Sequence, residues 1–89
     1  MVDRLSYPEY RRAMEIADTI DARGLLCPLP VLKLRKRMKP LATGACAELW
    51  ADDPAAVVDV PHFCTEAGHE LIQTREMGDW QAYVVRKSG

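Results

Sequence analysis

Cysteine is sparse and odd in number in this chain: Cys27, Cys46 and Cys64 are the three among 89 residues. Such a count, without regular spacing, is not a disulfide framework. Free thiols in a reducing, cytoplasmic setting are expected instead. The sequence contains no Cys-x-x-Cys pair, so Cys27, His62, Cys64 and His69 lack the spacing of a zinc site, and no metal is expected. No apolar run approaches the roughly 18 residues of a membrane span. The opening residues, Met1 to Ser6, lack the apolar core of a secretory signal, so no membrane partner is expected. Repeats and low-complexity segments are also absent.

The chain does have the composition of a small globular domain, 48% apolar and 28% charged. A domain of this size buries only roughly 60% of its unfolded surface, so the core is thin and a site should lie near the surface. The net charge is −1, but it is unevenly spread. Residues 33–39 carry five cations, Lys33, Arg35, Lys36, Arg37 and Lys39, whereas residues 48–79 hold eight acids against Arg75. The chain thus has a basic pole and an acidic remainder. The basic run reads either as the solvated face of a helix or as a docking surface for a partner.

Hydrophobic periodicity divides the chain into elements. Residues 1–16 read as an extension before the main domain, residues 17–89. Ser6-Tyr7-Pro8-Glu9 has the form of a capping box, which predicts a short helix over about 8–15. Thr19-Ile20-Asp21 suggests a short strand closed by a turn at Arg23-Gly24. A helix should run from Pro28 to Lys39, burying Val31, Leu34 and Met38, with Leu41 continuing the stripe. Cys46 to Ala51 reads as a strand with Ala47, Leu49 and Ala51 on one face and Cys46, Glu48 and Trp50 on the other. Asp53-Pro54 is a helix start, and Asp52 and Asp53 are read as capping residues rather than general acids. Pro61 should interrupt that helix, with Asp59 near the restart, and Gly68 should stop it. Leu71–Arg75 and Trp80–Arg86 form a hairpin around Met77-Gly78-Asp79.

The resulting order is β-α-β-α-β-β. It predicts a two-layer α/β (α+β) sandwich, a four-stranded mixed sheet with two helices on one face. The opposite face should stay open, with Trp50, Trp80 or Tyr83 on it, either as scattered surface apolars or as a docking surface. Cys46 would lie on that face too. Cys64, on the apolar side of its helix, is expected to be a core thiol; a resolving partner for Cys27 is the sharper alternative.

Cys27-Pro28-Leu29-Pro30 carries the candidate chemistry. Pro28 suits the first helical position, which puts Cys27 at or beside the N-cap. A thiolate there meets the positive end of the helix macrodipole, which would lower its pKa. Arg23 and Lys33 are placed to add positive charge. Pro28 and Pro30 remove two N–H donors from the helix start, leaving Leu29 and Val31. The site therefore reads as a rigid, exposed sulfur rather than an anion trap, although a buried structural cysteine also fits these residues.

Asp21-Ala22-Arg23-Gly24-Leu25-Leu26-Cys27-Pro28-Leu29-Pro30 resembles the signature of the TusA/SirA-like sulfur carrier family: an aspartate, then Gly-Leu, then Cys-Pro-x-Pro. The likeness continues at Ala51-Asp52-Asp53-Pro54-Ala55, at Asp59-Val60-Pro61, and at Phe63-Cys64 followed by Gly68-His69-Glu70-Leu71. The blocks span about residues 18–87. The resemblance implies a β-α-β-α-β-β fold and a sulfurtransferase acting as a persulfide carrier on Cys27, with no other cofactor. It further implies a cysteine desulfurase or rhodanese-type donor and a downstream acceptor protein. The pathways it implies are tRNA thiolation, molybdenum cofactor metabolism or sulfur oxidation. Arg23, Lys33, Arg35, Lys36 and Arg37 would support the thiol or dock the partner. A non-catalytic regulatory or RNA-binding module using the basic helix is the alternative. The overall acidity argues against direct nucleic-acid binding.

Overall fold

The computed structural model describes residues 7–88. Its elements run α1 (Tyr7–Met14), β1 (Ile16–Asp21), α2 (Leu29–Met38), β2 (Cys46–Ala51), α3 (Ala56–Ala67), β3 (Glu70–Glu76) and β4 (Gln81–Arg86). The capping box assigned to the first helix begins at Ser6, outside the described residues.

The four strands form one sheet in the order β1-β2-β4-β3. β1 and β2 are parallel, and β4 is antiparallel to both β2 and β3. A parallel pair needs a crossover, which α2 supplies. The hairpin from β3 to β4 then places β4 inside the sheet, between β2 and β3. Its loop is closed by the Met77 N–H donating to the Trp80 carbonyl at 2.9 Å.

One face of the sheet and two helices enclose the main core. Ala47, Leu49 and Ala51 of β2 alternate toward the helices, as expected from a period of two. Their neighbours in register include Tyr83 opposite Leu49 and Val85 opposite Ala47. α2 contributes Leu34 and Met38, with Val31 and Leu41 at the edge, and α3 contributes Ala56, Val60, Phe63 and Cys64. Tyr83 is therefore a core residue on the helix side, 1% exposed, and not part of the reverse face. α3 turns Val57 to solvent and buries Phe63.

The reverse face is not open. Met14 of α1, Ile16 and Ile72 pack over Cys46 and Val84, and both of the latter are buried. Cys46 is thus covered, contrary to the surface position expected from its alternation with Glu48. Glu48 itself is fully buried. Its carboxylate accepts the Trp50 Nε1–H at 3.0 Å and lies 3.5 Å from Arg11 Nε of α1. A buried carboxylate requires such compensation. Arg11 also donates to the Thr19 hydroxyl. Trp50 does sit on this side, against Trp80, with ring centroids 4.9 Å apart and the ring planes tilted by 45°.

α3 runs unbroken through Pro61. Its first hydrogen bonds are accepted by Asp53, Pro54 and Ala55, so Pro61 follows the opening turn and removes one ladder bond without ending the helix. Gly68 ends it, in the left-handed conformation at φ 77°, with its N–H on the Cys64 carbonyl.

Candidate functional site

Parallel pairing decides where the site lies. β1 and β2 run side by side with Asp21 opposite Trp50, so both strands end at one edge of the sheet. The loop leaving β1 carries Cys27, and the loop leaving β2 carries Asp52 and Asp53. The two loops are joined by side-chain bonds. The Asp52 carboxylate accepts the Gly24 N–H at 3.0 and 3.1 Å. Gly24 has φ 84°, a conformation that glycine adopts without a steric cost. Asp53 Oδ2 accepts the Cys27 N–H at 2.6 Å while Oδ1 accepts the Ala55 N–H at 3.2 Å. Asp52 is therefore a clamp on the Cys27 loop rather than a helix cap. Asp53 both turns the chain into α3 and holds Cys27.

The thiol is exposed, and its Sγ lies 2.9 Å from Asp59 Oδ2 in the first turn of α3. This contact was not expected from the sequence, where Asp59 read as a helix-restart residue. Ala55 is the N-cap residue of α3 and Asp59 lies inside the first turn, so Asp59 is not a cap. An acid in a helix first turn is common for electrostatic reasons alone. Only the packing of α3 beside the Cys27 loop turns this one onto a sulfur.

The pKa of Cys27 is accordingly raised, opposite to the expectation from the helix dipole. The Asp59 carboxylate accepting the thiol proton is the largest cause; desolvation and then the charges of Asp59 and Asp53 follow. The α2 boundary also differs. The helix begins at Leu29 with Pro28 as N-cap and Pro30 buried behind it, so Cys27 stands one residue outside the cap. The Leu29 N–H is taken by the Leu26 carbonyl at 2.8 Å. The dipole therefore reaches the sulfur weakly.

The expected cations do not surround the thiol. Arg23 pairs with Asp21 through Nε and Nη2 at 2.9 and 2.8 Å, and its guanidinium lies 5.0 Å from the centroids of both Trp50 and Trp80. That pairing holds the Asp21 carboxyl down at about 2. Lys33 donates to the Asp21 carbonyl at 2.8 Å. Arg37 is bidentate to Asp18, at 2.8 and 2.6 Å. Lys36 is exposed on the same helix. Of the basic run, Arg35 alone lines the hollow beside Cys27, and it stacks 5.2 Å over the Phe63 ring. That hollow, about 170 Å³, is bounded by Cys27, Pro28 and Val31 on one side and by Asp59, His62 and Phe63 on the other.

Cys64 is 3% exposed, and burial pushes its thiol up to about 11. It is a core residue, and all three cysteines are free. Among the described residues, no group of three or more His, Cys, Asp or Glu side chains is arranged to hold a metal ion. Among the same residues, no helix is long and apolar enough to cross a membrane. Among the described residues, the large exposed apolar side chains are Leu26, Leu29, Leu32, Val57 and Val58. All belong to the Cys27 loop or to the first turns of α2 and α3.

The sequence model of the family described as sulfurtransferase TusA matches residues 18–87. The chain belongs to the TusA sulfurtransferase family. The match takes in every strand-to-helix unit that builds the Cys27 site. A solved structure shares the fold: the SirA-like protein from Desulfitobacterium hafniense superposes with a TM-score of 0.71 at 19% sequence identity. That alignment covers 81% of this chain and 99% of the other. The predicted α+β sandwich with a four-stranded mixed sheet is thus the observed fold, with α1 added on the reverse face. TusA membership carries a sulfur carrier role and, with it, partners that give and take sulfur.

Proposed function

We propose that this TusA-family protein carries sulfur as a persulfide on Cys27. A cysteine desulfurase or a rhodanese-type protein supplies the sulfur, and a cysteine of an acceptor protein removes it. No further cofactor takes part. The observation that carries this reading is the exposed Cys27 Sγ at the mouth of a hollow of about 170 Å³. A water molecule's share of liquid volume is about 30 Å³, so one added sulfur fits there. Pro28 and Pro30 stiffen the chain after the cysteine, and Asp53 holds its N–H, so the sulfur is presented on a fixed backbone.

The surroundings suit brief docking. Leu26, Leu29, Leu32, Val57 and Val58 give an apolar rim, and Arg35 and Lys36 of α2 supply nearby charge. Apolar contact with charge at its border speeds encounter without a permanent complex. Three free thiols suit a reducing cytoplasm.

The test is mass spectrometry of the whole protein after incubation with a cysteine desulfurase and cysteine. The expected result is the gain of one sulfur atom, lost in Cys27→Ala and passed on when an acceptor thiol is added. No gain, or a gain that survives Cys27→Ala, would overturn the reading.

A further inference from the structure

The Cys27 thiol must lose a proton before it can attack a persulfide, because the thiolate is the nucleophile. The usual means of ionising it are weak here. Two prolines stand at the start of α2, the Leu29 N–H is committed to Leu26, and Arg23 and Lys33 are held by Asp21. The groups that do face the sulfur come from three elements. α3 brings Asp59, His62 and Glu66, α2 brings Arg35, and the β2–α3 loop brings Asp53. His62 is occupied by Glu66 at 3.5 Å, one helical turn away. Asp53 bonds the Cys27 backbone rather than its sulfur. Asp59 Oδ2, at 2.9 Å, is within hydrogen-bond reach of Sγ.

We infer that Asp59 is a catalytic residue of the transfer: it takes the Cys27 thiol proton as the sulfur attacks and returns it to the departing thiolate of the donor. This rests on the persulfide-carrier reading above. Cys27 Sγ forms a bond to the outer sulfur of the donor persulfide while the donor's own S–S bond breaks. The outer sulfur keeps its hydrogen and becomes the Cys27 persulfide. The electron pair of the broken bond leaves on the donor cysteine, which takes the proton from Asp59. The products are one persulfide and one thiol, as were the reactants, so no oxidant or reductant enters. A positioned base also keeps the resting sulfur protonated. The free carrier is then a poor target for stray electrophiles, and it gains nucleophilicity only as the new bond forms.

The full-length protein tests this with Asp59→Asn and Asp59→Glu, through two readouts. One is the rate of iodoacetamide alkylation of Cys27 across pH. The other is single-turnover sulfur uptake from a cysteine desulfurase, followed by mass spectrometry. In Asp59→Asn the carboxylate no longer holds the proton, so alkylation at neutral pH should rise severalfold and its midpoint should move to lower pH. Sulfur uptake should fall by about a hundredfold, the lower end of the range for a lost general base. Asp59→Glu should recover part of the uptake. Opposite movement of the two rates is the signature of proton transfer. Uptake that is unchanged, or that rises together with alkylation, would overturn the inference while leaving the carrier reading in place. Absence of uptake by the wild-type protein would instead overturn the carrier reading, and the inference with it.

Discussion

The Cys27 N–H donates to Asp53 Oδ2 across 2.6 Å, and so the loop that presents the sulfur is tied to the loop that starts α3. The same carboxylate accepts the Ala55 N–H. One side chain therefore sets the position of the thiol and the entry angle of the helix bearing Asp59. Replacing Asp53 with Ala removes two charge-assisted bonds and should lower stability by about 1–3 kcal/mol, measured by urea unfolding. Asp53→Asn keeps the volume and the Oδ1-type acceptor, and should lose less.

The Arg23–Asp21 pair makes a prediction for acid stability. Asp21 has its folded pKa lowered from 3.8 to about 2, chiefly by the Arg23 side-chain bond. Its unfolded form binds a proton first as pH falls. The contribution of this pair is therefore present above about pH 4 and is lost between pH 4 and about pH 2. Both side chains are partly exposed, so the effect is screened and small. Denaturation of wild type and Arg23→Ala at a series of pH values should show curves that diverge above pH 4 and converge toward pH 2. Tryptophan fluorescence should report the same loss, because Arg23 lies over Trp50 and Trp80.

The three cysteines should react in a fixed order. Cys27 is exposed, whereas Cys46 and Cys64 are buried on opposite faces of the sheet. Iodoacetamide should add once to the native protein, at Cys27, and three times after denaturation, as read by mass. Since the Asp59 carboxylate holds the Cys27 thiol above the usual cysteine range, the native rate should still be climbing past about pH 9. A rate that levels off near neutrality would contradict the observed contact.

The buried Glu48 links α1 to the sheet through Arg11. Arg11→Ala weakens the compensation of a fully buried carboxylate. Loss of a partner from a fully buried pair costs about 3–5 kcal/mol. Arg11 is itself 35% exposed, so the loss here should fall below that range. Adding Glu48→Gln to Arg11→Ala removes the charge and should recover part of the stability. Thermal unfolding of the two single variants and the double variant gives the coupling.

Phe63 floors the hollow beside Cys27 and packs in the main core. Phe63→Ala should cost about 3–5 kcal/mol in urea unfolding. It should also free the Arg35 guanidinium from its stacking partner.

Local pattern alone determined much of this protein. The alternation in Cys46–Ala51, the apolar spacing of Leu34 and Met38, the stop at Gly68 and the turn at Gly78 each depend on a few neighbouring residues. The same local signal singled out Cys27, because Cys-Pro-x-Pro after a glycine turn is contiguous in the chain. Tertiary structure decided what surrounds that sulfur. Asp59 and Asp53 are 32 and 26 residues away in sequence and reach Cys27 because β1 and β2 pair in parallel and end at one edge. Likewise, Arg37 meets Asp18 only because the fold sets α2 beside β1, and Lys33 reaches the Asp21 backbone carbonyl, whereas Arg23 pairs locally with Asp21 two residues away. Charge density along the sequence placed cations near Cys27, but the Asp21 and Asp18 carboxylates and the Asp21 backbone carbonyl engage them and leave the thiol beside a carboxylate. Sequence spacing identifies a reactive residue type, whereas its proton affinity depends on neighbours within a few ångströms, and only the folded chain supplies those.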